Sequence, residues 1–576
     1  MIPCKHMLDT DARKRKLTST RGDTRDDQAR IAGPSLRVCI LFAAQLACAI
    51  MSSGAQSQGH PVEPSLMRQL QRAIEIAEHG DRKRALILAN ALVEKYPDSG
   101  PALKLQGMLL EQSGRGAEAS HAYERALEVV PNDADLLYKL GIYQLAAGDK
   151  DQAVYLLRRH LTIRPKDGDA LFYLAQAYHL KGQDDLALKS IRECVKVEPD
   201  NAQVWQKYGE LLCSSGDNEA GLRSLLKAQQ LDSALERIDF DVGVAHYHRM
   251  DFPNAVKYFV KAAEKQPDDP SVLALLASTE EKLSQWRDAQ STFERVLALK
   301  RDDVASLLGL GHCKLELKQY KAAIDTLQHV LRLDPTQVEG HYYLSRAFTG
   351  LGKTAEAQHE AELHHTMDQM SFAPPALGSE GKKATWDQAR QLLIEHKEDE
   401  ALRLFQRNSQ GSSVTMGDSY VLVGSLYLSM GNTIDALRTL HRALEIEPTV
   451  RGAHTYAGMV ALQQGDLGAA EKEFEAELAN DPNYLLAVAE LGEVRYRQQR
   501  WADAAGLLLR SRTRASTLLL MLCDSYFHLG KIADAKLTAE VVAAYARNDP
   551  DVMRALVDLV SRNGESALAK RLSGTP

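Results

Sequence analysis

Prolines and small residues recur every 34 residues through most of this chain, and that period limits its fold more than any other feature. Pro97, Pro131, Pro165 and Pro199 are each 34 apart, and the grid continues through Ser233, Pro267, Arg301 and Pro335. Twenty-four residues before the grid points stand Ala73, Gly107, Gly141, Ala175, Gly209, Gly243, Ala277 and Gly311. Twelve residues before them stand Ala85, Ala119, Ala153, Ala187, Gly221, Ala255, Ala289 and Ala323. Self-similarity at this period means stacked supersecondary units, each of which buries its apolar face only against its neighbours.

Each period reads as two helices. In Asp133–Pro165, Leu137, Leu140 and Gly141 share one helical face, and Gly148-Asp149 ends that helix and starts the next. Ala153, Leu156, Leu157 and Leu161 line the second helix, which Pro165 closes. The two small columns mark where the paired helices come closest, because a larger side chain there would push them apart at a cost of roughly 1–3 kcal/mol.

On these residues the chain resembles the tetratricopeptide repeat (TPR) family, whose pattern W-x2-L-G-x2-Y…A-x3-F…P is met in pieces. Trp205–Leu212 carries the Trp and the Gly; Tyr420–Tyr427 carries Val423, Gly424 and Tyr427. Ala255 with Phe259, Ala289 with Phe293, and Ala470 with Phe474 supply the second-helix pair. Arg301 and Ser233 depart from the proline, and most units lack the Trp. The resemblance implies an all-α fold, a right-handed α-solenoid of helix-turn-helix repeats, which here falls into two arrays.

About nine units fit residues 66–369. The segment Met370–Lys383, with Pro374-Pro375, Gly378 and Gly381, then interrupts the grid. From Pro335 to Pro448 is 113 residues, three periods plus 11, so about eleven residues are inserted. The register returns with Gly424/Ala436, Gly458/Ala470 and Gly492/Ala504, and a last unit with Cys523 and Ala535 starts three residues early. These five units occupy 385–548, leaving 370–384 as a linker where proteolytic nicking is expected first. Residues 549–576 read as a capping helix and tail, with Val552, Leu556, Leu559 and Val560 as its stripe.

The first 55 residues read as a secretory signal with a long basic n-region, followed by a linker at 56–65. They hold nine Lys/Arg and five Asp/Glu, with Arg13–Lys16 a basic run. Val38–Met51 is apolar except for Gln45, and Ser53 and Ala55 stand at −3 and −1 of a cut before Gln56. Fourteen residues span about 21 Å as a helix, short of a roughly 30 Å hydrocarbon core. The expectation is export to the periplasm or the medium, with a membrane anchor at 38–51 as the alternative.

The composition, 44% hydrophobic and 26% charged, excludes a chain disordered throughout, and a net charge of −7 argues against a chain built to hold nucleic acid. Chemistry is hard to find. His359-Glu360…His364 resembles HExxH, but an i, i+5 spacing does not put both His on one helical face. His246-x-His248 and His364-His365 also lack metal spacing. Cys194, Cys213, Cys313 and Cys523 sit where the repeat wants small or apolar residues. A Cys194–Cys213 disulfide is disfavoured, because their offsets from the intervening turn differ. There is no G-x-S-x-G, no phosphate-binding G-x4-G-K-[ST] and no C-x-x-C, so no catalytic residue, metal or cofactor is expected.

The family resemblance implies a concave groove lined by the first helix of each unit, and hence a protein or peptide ligand. Its positions here are Lys104, Met108, Tyr138, Ile142, Phe172, Gln176, His179, Gln206, Glu210, Phe240, Val244, Tyr247, Leu308, His312, Tyr342 and Arg346. Members that grip a terminal carboxylate pair Lys with Asn in this groove; Tyr138/Ile142, Phe172/Gln176 and Gln206/Glu210 do not match. The expected function is therefore a non-catalytic exported scaffold, or alternatively an interaction subunit of an envelope machine for outer-membrane assembly, pili or polysaccharide export. An accessory region of an enzyme is disfavoured.

Overall fold

The structure is a computed structural model that describes residues 64–370, 380–407 and 414–574. The leader and its apolar stretch 38–51, the linker up to 63 and the Pro374-Pro375 segment lie outside the described residues. Within them stand 30 α-helices and no strand. Nine helix pairs run from Pro64–Glu78 with Arg82–Lys95 to Val338–Gly350 with Thr354–Gln369. Five more run from Glu380–Ile394 with Glu398–Arg407 to Ser516–His528 with Ile532–Tyr545. The C-terminus is not one helix and a tail but a further pair, Pro550–Arg562 and Ser566–Ser573; the second helix buries Leu568, Ala569 and Leu572.

Local chemistry starts and stops these helices. Asp133 caps Ala134–Ala147 by accepting from the Asp135 and Leu136 amides at 2.9 and 3.1 Å. Gly148, at φ +88°, ends it, and Asp149 caps the next helix through the Gln152 amide at 3.0 Å. This left-handed corner recurs every 34 residues, at 80, 114, 148, 182, 216, 250, 284, 318 and 352. Glycine holds most of these corners, but Met250, Ser284 and Lys318 take the same conformation.

The small columns are where paired helices touch. A methyl group at Gly107 would lie 2.5 Å from the Tyr123 ring, at Gly141 2.8 Å from Leu157 and at Gly311 2.5 Å from Leu327. At Gly424, Gly458 and Gly492 it would meet Leu440, Phe474 and Leu508 at 2.7, 2.6 and 2.9 Å. Gly209 faces the backbone of Gly221, whose carbonyl would be 3.0 Å from an added Cβ. Ala119, Ala153, Ala255, Ala323, Ala436, Ala470 and Ala504 have no exposed surface, and Gly243 is buried. Where the column carries a polar residue, that residue bonds across it: Ser345 Oγ donates to the Ala357 carbonyl at 2.8 Å and the Cys523 thiol to Ala535 at 3.3 Å.

The described residues form two compact units that divide between Tyr258 and Phe259. Within the second unit, Leu363, Met367 and Met370 share one core with Leu518, Leu519, Leu522 and Val541. The helix Thr354–Gln369 thus packs beside Ile532–Tyr545, far along the chain.

Candidate protein-binding face

The first helices carry the candidate residues, and part of that set is consumed by contacts within and between repeats. Lys104 Nζ donates to Asp133 and Asp135, each at 2.9 Å, and Arg164 holds the other oxygen of Asp135. Gln206 donates to Asp241 and to the Glu236 carbonyl, while Glu210 pairs with Lys207 at 2.6 Å. His179 bonds to Asp184 at 2.8 Å, tying its helix to the next. Leu308 is buried. His312 meets Glu281 at 2.6 Å and stacks on Tyr343 with ring centroids 4.4 Å apart.

Other candidates keep accessible surface. In the unit up to Tyr258, Met108, Ile142, Gln176 and Val244 are half-buried. Tyr138 lies between His160 and Tyr173 with one face in the core, and Phe172 stands edge-on to Tyr173 at 5.7 Å. Phe240 lies under the Arg237 guanidinium at 4.4 Å, and Tyr247 abuts Phe252 at 5.5 Å. In the unit from Phe259, Tyr342 is 44% exposed beneath Arg346, which pairs with Glu316 at 2.9 Å. The expected single row is therefore distributed over two separate units.

Carboxylates on these first helices are accessible yet surrounded by protein. Desolvation raises the Asp241 carboxyl, and the neighbouring Glu210 raises it further. Desolvation pushes Glu490 up to about 7, with Glu493 adding to it and Arg497 opposing.

The histidines and cysteines have structural partners. His359 pairs with Glu540 at 3.0 Å, His364 Nδ1 donates to the Val338 carbonyl at 3.2 Å, and His365 contacts Gln369. His246 bonds to Asp251 and stacks on Tyr258. Cys194, Cys213, Cys313 and Cys523 are free thiols, and burial pushes Cys213 up to about 11 and the other three up to about 12. Among the described residues no group of three or more His, Cys, Asp or Glu is arranged to hold a metal, and no helix is long and apolar enough to cross a membrane.

Two inter-helix clasps went unread in the sequence. Arg159 donates to the Pro131 carbonyl at 2.5 Å, Arg295 to Pro267 at 3.1 Å, and Arg510 to Pro482, always 28 residues on. One position further, His160 bonds to the Ala134 carbonyl at 2.8 Å and the Cys194 thiol to Gly168 at 3.2 Å, both 26 residues back. An Arg column counted from the grid prolines would have found the first clasp. The second changes residue type from repeat to repeat, so identity alone hides it.

Tetratricopeptide repeat family models match residues 104–168, 159–304, 282–347, 424–484 and 457–518. The chain is 29% identical over 164 residues to the type IV pilus assembly protein PilF of Pseudomonas aeruginosa, covering 27% of this chain and 63% of that protein. It is 24% identical to the Hsp70-Hsp90 organizing protein of Triticum aestivum, over 42% of this chain and 40% of that one. Less than two thirds of either relative is thus spanned. Among solved structures, that of P. aeruginosa PilF matches at 24% identity with a TM-score of 0.34, over 36% of this chain and 96% of that one. YrrB, a TPR protein with an unusual peptide-binding site, matches at 19% identity and a TM-score of 0.29, over 32% and 95%. With the repeat packing above, the sequence matches place this chain in the tetratricopeptide repeat family.

Proposed function

We propose that this chain is a non-catalytic, exported scaffold that binds a protein or peptide segment on the first-helix face of its repeats. One observation carries the reading. After the small columns, caps and clasps have used their residues, the first helices still present half-buried aromatics beside accessible carboxylates, at Tyr138, Phe172, Phe240 and Tyr247. Such side chains supply large contact area at low entropic cost. Export rests on the leader sequence, and 38–51 would anchor the chain to a membrane if it is not removed.

A second reading, an interaction subunit of a cell-envelope machine, is favoured by the similarity to a type IV pilus assembly protein over 164 residues. A photo-crosslinking residue placed at Phe172 or Tyr342, and at the exposed Ile434 as a control, tests the face in living cells. The expectation is one discrete protein adduct from the first two positions and none from Ile434; equal labelling at all three refutes it. Sequencing the mature N-terminus tests export, with Gln56 as the expected first residue.

A further inference from the structure

The contact between the helices Thr354–Gln369 and Ile532–Tyr545 is made by an edge that most other repeats keep polar. Six residues after the second small column stand Arg125, Arg159, Lys227, Lys261, Arg295 and Arg442. The same position in these two helices is Leu363, 5% exposed, and Val541, fully buried. The column also departs from Arg or Lys at Ala91, Glu193, His329 and Ala476, but Leu363 and Val541 are its large aliphatic members, and they are buried in one core with Met367 and Met370 beside them. Polar groups rim that core. His359 bonds to Glu540 at 3.0 Å, and Arg571 from the last helix reaches the other Glu540 oxygen. Arg514 donates to the Met370 carbonyl, and Arg547 to Leu333 at 2.7 Å.

We propose that this edge-to-edge contact is a reversible latch, closing the ninth repeat of the first array on the fifth repeat of the second, with the charge of His359 setting its strength. The charged groups facing His359 are Glu540 and Arg571 across the contact and Glu360 on its own helix, itself bonded to His341 of the preceding helix. The Glu540 hydrogen bond raises the His359 pKa, burial lowers it less, and the net shift is upward. A base raised by its partner holds that partner most tightly below its ordinary value, so closure weakens as pH rises through the raised one. Opening bares an apolar strip of Leu363, Met367, Met370 and Val541.

Hydrogen exchange on the full chain tests the latch. Leu363→Arg restores a side chain that other repeats carry at this position, so the repeat itself is expected to fold. It should speed exchange in both 354–370 and 532–545 by about tenfold or more, since burying one Leu is worth at least a decade in an equilibrium constant, and leave Leu467–Asn480 unchanged. In the wild type, after correction for intrinsic rates, protection of both helices should fall together from pH 6 to pH 8, and His359→Gln should flatten that fall. Unaltered exchange in 532–545 with Leu363→Arg overturns the contact; an unchanged pH profile in His359→Gln overturns its control. Should Leu363→Arg not fold, a cycle of His359→Gln and Glu540→Gln leaves the apolar packing untouched: coupled effects support the latch and additive ones overturn it.

Discussion

Replacing Ser284, Lys318 and Gln499 by glycine should stabilise this protein without adding a contact. All three sit at the interhelical corner with φ of +58°, +60° and +61°, where other repeats carry Gly114, Gly148 or Gly465. All three side chains point to solvent, so little packing is lost. A side chain in the left-handed region costs roughly 1–2 kcal/mol relative to glycine. Glycine returns roughly 0.5–1 kcal/mol through the greater freedom of its unfolded chain. The net gain is about 0.5–1 kcal/mol per site. Adjacent repeats open locally, so the gain should appear as a roughly two- to fivefold slowing of amide exchange in the helices flanking each corner, and as a higher urea midpoint for the triple variant. The mirror experiment is Gly465→Ala. Nothing lies within 4 Å of the added methyl, so its cost is conformational alone and should be of similar size with opposite sign. Faster exchange at all three glycine variants, or a neutral Gly465→Ala, would refute the reasoning.

Glu280 is 7% exposed and its Oε2 has no hydrogen-bond partner; desolvation raises its pKa, with Asp288 adding and Thr292 opposing. A raised carboxyl contributes stability below its unfolded pKa and loses it as pH rises through the folded value; Glu280→Gln should therefore stabilise at pH 7, read as a higher melting temperature, and the gain should shrink in acid. His160 has an acceptor on each ring nitrogen, Ala134 O at 2.8 Å and Asp167 at 2.9 Å, an arrangement only the imidazolium satisfies. Burial lowers its pKa, but Asp167 and the carbonyl more than offset this. His160→Leu should cost about 1–3 kcal/mol, more at pH 5.5 than at pH 8.5, by urea unfolding at both values. Gly209→Ala places a methyl 3.0 Å from the Gly221 carbonyl, which cannot swing aside as a side chain can, and should cost roughly 1–3 kcal/mol by the same assay.

The 34-residue grid was legible because it records contacts made identically in every repeat. Gly141 against Leu157 and Gly424 against Leu440 are the same event, so each column repeats the same demand for a small side chain. The helix-ending role of Gly148 was legible for the same reason, yet the full corner column was not, since Met250, Ser284 and Lys318 adopt a backbone state that their identities do not announce. Candidate face residues were harder. Lys104, Gln206 and His312 occupy groove positions, but their partners Asp133, Asp241 and Glu281 come from neighbouring repeats. A position in the repeat says which way a side chain leaves the helix; whether a neighbour has already engaged it depends on both repeats at once.

The latch shows what a single-helix reading misses. Leu363 and Met367 look like ordinary core residues, because any helix needs an apolar face and i, i+4 spacing supplies one. Compared down the column, Leu363 stands where Arg or Lys is more usual, a cation that at Arg159, Arg295 and Arg510 reaches back to a proline carbonyl. Without it the repeat lacks that clasp and presents a large aliphatic side chain at an edge. A partner covers it, and Val541 supplies that partner from the same repeat position. Two large aliphatic side chains at the same repeat position, five repeats apart and buried together, are the pattern expected of an evolved contact between the arrays. If Leu363→Arg and Val541→Arg each open the contact, the double variant should add little further loss, since either change alone removes the apolar seam.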